Sequence, residues 1–199
     1  ARAAKVVLLE PSNSQECKEF VRAAVDISEE FDTPVMLRTT TRISHSTGIV
    51  QLGDRENVEV KGYERDIKRN VVIPAHARVM HVKVEERLKK LAQYANTSPL
   101  NRIEEGSDNS VGFITSSISY QYLREVMPDA WVLQLGMPWP VPADLIREFA
   151  SKVDRLIVVE ENEPFMENEI KALGIDCEGR NLFPATGELN PNIVAKGLE

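Results

Sequence analysis

Between residues 111 and 173 the chain alternates short apolar runs with helix-length amphipathic segments, and it does so three times: 111–115 then 118–127, 131–135 then 142–153, 155–160 then 164–173. Runs of that length are too short for helices and read as buried strands. Strand followed by helix followed by strand requires crossover connections, so the segment is expected to form a parallel sheet of three or more strands flanked by helices. The punctuation agrees with this reading. Pro142 and Pro164 stand where first-turn prolines belong, and Gly174 stands where a helix ends in the left-handed conformation.

The first fifty residues carry a smaller version of the same pattern. Residues 5–9 form an apolar run, Ser12 and Gln15 have the spacing of a capping box, and Cys17, Phe20, Val21, Ala24, Ile27, Ser28 and Phe31 then recur at helical intervals. Asp32-Thr33-Pro34 closes that helix, and residues 35–39 read as the next strand, paired in parallel with the first. Residues 1–50 are thus expected to be the end of a doubly wound α/β domain. Residues 51–74 are densely charged, contain β-like runs such as Asn57-Val58-Glu59-Val60, and read as an arm or irregular loop. A connecting helix is expected over 75–96, with Val84, Leu88, Leu91 and Ala95 on its apolar face and Glu85, Glu86, Lys89 and Lys90 towards solvent. Residues 97–110 hold Pro99, Gly106, Asp108 and Asn109 and read as a linker. The division is therefore 1–50, 51–109 and 110–199.

Composition narrows the class. Among 199 residues, 42% are hydrophobic and 28% charged, and the formal net charge is −7. A folded globular chain is indicated, and nucleic acid and anionic membrane are not expected partners. No apolar stretch approaches the roughly 18 residues that span a bilayer. Cys17 and Cys177 lie far apart without C-x-x-C spacing, so neither a thiolate metal site nor an iron–sulfur cluster is expected, and free thiols of a reducing, cytoplasmic compartment are. The start Ala1-Arg2-Ala3 suggests a piece of a longer protein, and the final Leu198-Glu199 has the look of a cloning scar.

Candidate chemistry concentrates just past the second strand. Thr41, Arg42 and His45 lie where open α/β sheets place ligands; Arg42 could hold a carboxylate or phosphate, and His45 could move a proton near neutral pH. The plainer alternative pairs Arg42 with a carboxylate at a subunit contact and makes His45 a turn cap. His76 and His81, five apart, miss the spacing of two ligands on one helical face. The turn Thr115-Ser116-Ser117-Ile118 lacks G-x-G-x-x-G and reads as a serine-capped helix. Gly53-Asp54-Arg55-Glu56-Asn57 reads as a charged loop. Glu160, Glu161, Glu163, Glu167 and Glu169 could supply paired carboxylates, although acidic residues at a helix start also suit the macrodipole. The stretch from Gly136 to Pro142 reads as a rigid loop, either docking another surface or turning the chain.

Four blocks in this order resemble the α subunits of indolepyruvate-type 2-oxoacid:ferredoxin oxidoreductases. They are Glu10-Pro11-Ser12-Asn13-Ser14-Gln15-Glu16, Pro34-Val35-Met36-Leu37-Arg38 with Thr40-Thr41-Arg42-Ile43-Ser44-His45-Ser46, Leu135-Gly136 with Pro140-Val141-Pro142, and Val158-Val159-Glu160-Glu161 with Pro164-Phe165-Met166-Glu167. Ser117 departs from the pattern, which has glycine there. The resemblance implies an α/β fold: the C-terminal part of a doubly wound pyrimidine-binding-type domain over 1–50 and a transketolase C-terminal-like, three-layer domain with a mostly parallel sheet over 110–199. It implies an enzyme that decarboxylates an aryl pyruvate oxidatively to acyl-CoA, using thiamine diphosphate, magnesium and [4Fe-4S] clusters that lie outside this segment. Partners implied are the rest of the α subunit, a β subunit, ferredoxin and CoA, in homodimeric or heterotetrameric contacts. The segment alone is expected to be catalytically silent, with a structural role and with Thr41, Arg42 and His45 near substrate or cofactor. Another thiamine-diphosphate enzyme of transketolase or 2-oxoacid dehydrogenase type, or a free-standing non-catalytic α/β module, would carry similar patterning.

Overall fold

The computed structural model describes residues 1–55, 57, 59–60 and 62–199. Strand β1 (Val7–Leu9) leads into helix α1 (Ser14–Phe31), which returns the chain to β2 (Val35–Leu37), and β1 and β2 pair in parallel with Leu9 opposite Leu37. The cap of α1 is shifted from the expected capping box. Asn13 is the N-cap and accepts the Glu16 amide at 2.9 Å, while the Glu16 carboxylate accepts the Ser12 amide at 2.8 Å. Asn outranks Ser little as a cap, but Asn13 has glutamate three residues on, and Ser12 does not. On α1 the expected stripe is only partly buried: Phe20 and Ile27 are, whereas Val21 is exposed.

The short helix α2 (Thr41–His45) follows β2, capped by the Thr40 hydroxyl. Described residues of 51–66 carry no regular element, and of the β-like run expected there Val58 lies outside the described residues. Helix α3 (Ile67–Asn70) precedes the long helix α4 (Pro74–Thr97), on which Leu91 and Ala95 are buried against Val7, Leu9, Phe20, Ile27 and Met137. Glu85 is not simply solvated, since it pairs with Lys5.

The second sheet has the order β3-β5-β4-β6. Its edge strand β3 (Asn101–Glu104) occupies the stretch expected to be a linker, and pairs antiparallel to β5 (Ala130–Leu135). Strand β4 (Asp108–Thr115) pairs in parallel with β5 on one side and with β6 (Arg155–Val159) on the other. Alternate residues of the central strands point to opposite faces, and both faces are apolar, as a sheet covered on both sides requires. On one face Ile114, Leu133 and Val158 pack against α6 (Ala143–Ala150) and α7 (Phe165–Ala172) through Ile146, Phe149, Met166 and Ile170. On the other, Phe113, Val132 and Ile157 pack with Leu123 of α5 (Ser117–Val126) and Val194 of α8 (Pro191–Leu198). Pro142 and Pro164 sit at N-cap positions, one residue earlier than first-turn placement, and Gly174 follows α7 at φ +80°.

The loop from Gly136 to Pro142 is a docking element. Leu8 N donates to Trp139 O at 2.9 Å and Glu10 N to Gly136 O at 2.8 Å, so the loop extends the β1 edge and fastens the two sheets together. A buried polar seam runs beside it. Glu16 receives Arg102 at 2.9 Å and Gln134 at 3.2 Å, tying the start of α1 to β3 and β5. No helix among the described residues is long and apolar enough to cross a membrane.

Candidate functional site

The carboxyl ends of the parallel strands of both sheets open onto one crevice of about 600 Å³. In the second sheet the chain moves from β4 to β5 on one side and then back past β4 to β6, so the crevice lies at a topological switch point. Its walls come from the ends of β1 (Glu10), β2 (Arg38 and Thr39), β4 (Ser116, Ser117) and β6 (Glu160), with Phe165 and Met166 from the start of α7.

Glu10 and Arg38 follow directly from the β1–β2 register. Each stands one residue beyond the paired Leu9 and Leu37, so parallel pairing sets them side by side, and an Arg38 guanidinium nitrogen lies 2.5 Å from Glu10 Oε1. The Glu10 side chain is 3% exposed and that of Arg38 60%. Burial pushes the Glu10 carboxyl above its ordinary range, opposed by the Arg38 charge and by the hydrogen bond from Ser116. Ser116 Oγ donates to Glu10 Oε2 at 2.8 Å, so this hydroxyl does not cap α5 as expected. Ser117, where the resemblance leads one to expect glycine, adopts φ +50°, and its buried hydroxyl donates to Pro11 O at 3.3 Å. The position is one where glycine is unstrained and serine is not.

The acidic group at the end of β6 serves the helix behind it. Glu160 accepts the Met166 and Glu167 amides at 2.8 and 2.9 Å, which satisfies orphan donors at the α7 start. Burial raises its carboxyl to about 7 against the lowering effect of those amides. Glu167 is buried and receives Lys171 at 2.5 Å and the Arg180 amide at 2.7 Å. Glu161 accepts the Leu189 amide at 2.6 Å. Among the described residues no three His, Cys, Asp or Glu side chains form a metal-holding group.

Of the three residues expected near a ligand, the crevice takes one. Thr41 lines it, but Arg42 turns to Glu188 at 2.6 Å and borders a smaller adjoining cavity of about 310 Å³ with Glu161 and Asn162. His45 is exposed at the end of α2 and lines neither. Glu10 and Arg38 are the residues that sequence reasoning passed over, and Ser116 reads in the sequence only as a helix cap. The available signal was the parallel register itself, which places any two residues following β1 and β2 at the same sheet edge. His76 Nδ1 donates to Val71 O at 2.9 Å, His81 lies against Glu85, and both belong to the α4 surface.

This fold is shared with a solved 2-oxoacid:ferredoxin oxidoreductase. The 2-oxoglutarate:ferredoxin oxidoreductase from Magnetococcus marinus, solved with 2-oxoglutarate, coenzyme A and succinyl-CoA bound, superposes with a TM-score of 0.68 over 96% of this chain and 41% of that one, at 15% identity. No family model matches the chain. The sequence narrows the kinship to one subunit type: indolepyruvate oxidoreductase subunit IorA from Methanothermobacter marburgensis is 44% identical over 212 aligned residues, that from Methanothermobacter thermautotrophicus 40%, and that from Archaeoglobus fulgidus 39% over 207. The first two matches take in 100% of this chain, and the chain spans about 34% of their length. The chain is therefore related, from end to end, to a segment of IorA, as the four sequence blocks implied.

Proposed function

We propose that the chain works as one segment of an indolepyruvate-type 2-oxoacid:ferredoxin oxidoreductase α subunit, an enzyme that converts an aryl pyruvate and CoA to acyl-CoA and CO₂ while two electrons pass to ferredoxin. The observation that carries this reading is the match to IorA subunits along all of the chain. Residues 1–50 would close a pyrimidine-binding-type domain, 51–109 would bridge, and 110–199 would form the transketolase C-terminal-like domain. In the whole enzyme thiamine diphosphate supplies the carbanion chemistry, and the protein supplies binding and orientation.

The residues here do not fit the iron–sulfur clusters: Cys17 lies on α1, whereas Cys177 is buried against α6 and α7, and both are free thiols. The role proposed for this segment is to hold two domains in register and to carry contacts to the rest of the α subunit and to a β subunit. Thr41, which lines the crevice, and Arg42 and His45 beside it are proposed to lie towards the cofactor or oxoacid.

The test is reconstitution. A full-length α subunit carrying this segment, assembled with its β subunit, is expected to reduce ferredoxin in a reaction that needs both an aryl pyruvate and CoA, and the 199-residue chain alone is expected to be inactive. Reduction driven by an aldose donor, or transfer to NAD, would overturn the assignment. In the assembled enzyme Arg42→Ala is expected to raise KM for the oxoacid; unchanged kinetics would remove Arg42 from the site.

A further inference from the structure

We propose that the crevice between the two sheets binds a small oxyanion, a carboxylate or a phosphate, on the guanidinium of Arg38, with Glu10 as the residue that positions it. The inference stands on the geometry of this chain and is independent of the reaction run by the larger enzyme.

Arg38 is fixed at both ends. Its backbone N–H donates to Leu9 O at 2.9 Å, continuing the ladder beyond β2. Its guanidinium is held by Glu10, and Glu10 cannot swing away: its amide bonds Gly136 O and its second carboxylate oxygen receives Ser116. A guanidinium carries five N–H donors in a planar fork, so one carboxylate leaves an open edge for a second oxyanion. That edge belongs to a side chain 60% exposed and lining a cavity of about 600 Å³. An arginine already oriented by a buried partner loses little rotamer freedom on binding.

The surroundings suit an anion at this end and oppose one at the other. Thr41 and Ser119 bring hydroxyls, and the first α5 amides are left uncapped because Ser116 is bonded to Glu10. Across the crevice stand Glu160, Glu161 and Glu163, with Glu160 committed to the α7 amides and Glu161 to Leu189. Leu8, Pro138, Phe165 and Met166 give the remaining wall an apolar surface for an organic body. Arg42 is not the anchor, because it borders the adjoining smaller cavity and does not line this crevice.

The experiment titrates the 199-residue chain at low ionic strength with inorganic phosphate and, separately, with indole-3-acetate, following amide NMR shifts at Arg38, Ser117 and Ser119. Saturable binding of at least one probe is expected, weakened about tenfold or more in Arg38→Gln, less in Arg38→Lys, and unchanged in Arg147→Gln on α6. Binding of phosphate alone assigns a phosphate ligand; binding of indole-3-acetate alone assigns a carboxylate with an apolar body. Since Arg38→Gln leaves Glu10 without its counter-charge, the double variant Glu10→Gln with Arg38→Gln supplies the check in a chain with neither charge. Failure of both probes to bind, or binding that survives the double variant, overturns the proposal.

Discussion

Ser116 Oγ meets Glu10 Oε2 at 2.8 Å, joining the end of β4 to the end of β1 across 106 residues of sequence. The contact is buried on both sides, and it fixes a carboxylate that also holds Arg38. Together with the backbone bonds from Leu8 and Glu10 to the loop from Gly136 to Pro142, it makes the two sheets share one edge at the crevice.

Glu10→Ala leaves Arg38 without its counter-charge and Ser116 without an acceptor. Removing one partner from a buried pair costs about 3–5 kcal/mol, and the exposure of Arg38 lowers that to about 1–3 kcal/mol here. Urea unfolding of wild type and variant checks the figure. Equal midpoints would show that the seam is held by the backbone bonds alone.

The alternation of strands and helices was legible because each central strand is apolar on both faces and each helix carries a stripe, so the periodicities survive in one dimension. Strand β3 was not legible. Asn101-Arg102-Ile103-Glu104 has one apolar residue, and its strand state comes from pairing to β5, with Asn101 also bonded to Ala95 O and the Met137 amide. The site was half legible. Position beyond β2 drew attention to Thr41 and Arg42, but whether an arginine faces a cavity or a carboxylate 146 residues away is decided by tertiary packing. Glu10 stood in a recognised block, yet its role needs Ser116 from the other sheet. The acidic residues near Glu160 were legible as helix-start charges, and Glu160 does serve α7 in that way.

Ser117 holds φ +50° at the start of α5 with a hydroxyl bonded to Pro11 O. Replacement by alanine removes the bond and keeps the strain, whereas glycine removes both. Left-handed geometry costs a non-glycine residue about 1 kcal/mol, so Ser117→Gly is expected to be about 1 kcal/mol more stable than Ser117→Ala. Thermal unfolding of the two variants decides it, and the reverse order would show that the turn is unstrained for a side chain.

Gly136 is confined by both units. A Cβ there would come 2.3 Å from Leu100 O and 2.6 Å from Phe20 Cζ. Phe20 is buried and the Leu100 carbonyl accepts the Gly136 amide, so neither yields without opening the seam. Gly136→Ala is expected to cost about 2 kcal/mol or more. The loss should appear as earlier hydrogen exchange in β1 and α1 than in β4; uniform destabilisation of both sheets would argue against a seam-specific effect.

Glu160 gives the chain a pH signature of definite sign. Its carboxyl ionises at about 7 when folded, raised by burial from an ordinary value of 4.5. A folded-state value above the unfolded one means that the folded state keeps the proton longer, so this group's contribution is complete below pH 4.5 and is lost as pH rises through 7. The full swing is about 3 kcal/mol or less. Other carboxylates run the opposite way: Glu178 is lowered by Arg155 and Glu85 by Lys5. The raw stability curve therefore mixes signs, and the difference between wild type and Glu160→Gln isolates the effect. The amide side chain of that variant cannot ionise and keeps one acceptor for the two α7 amides. Wild type minus variant is expected to fall steadily from pH 4.5 to about 7 and to level above it. A difference that stays flat over that range would mean that the two amides hold the carboxylate charged in spite of its burial.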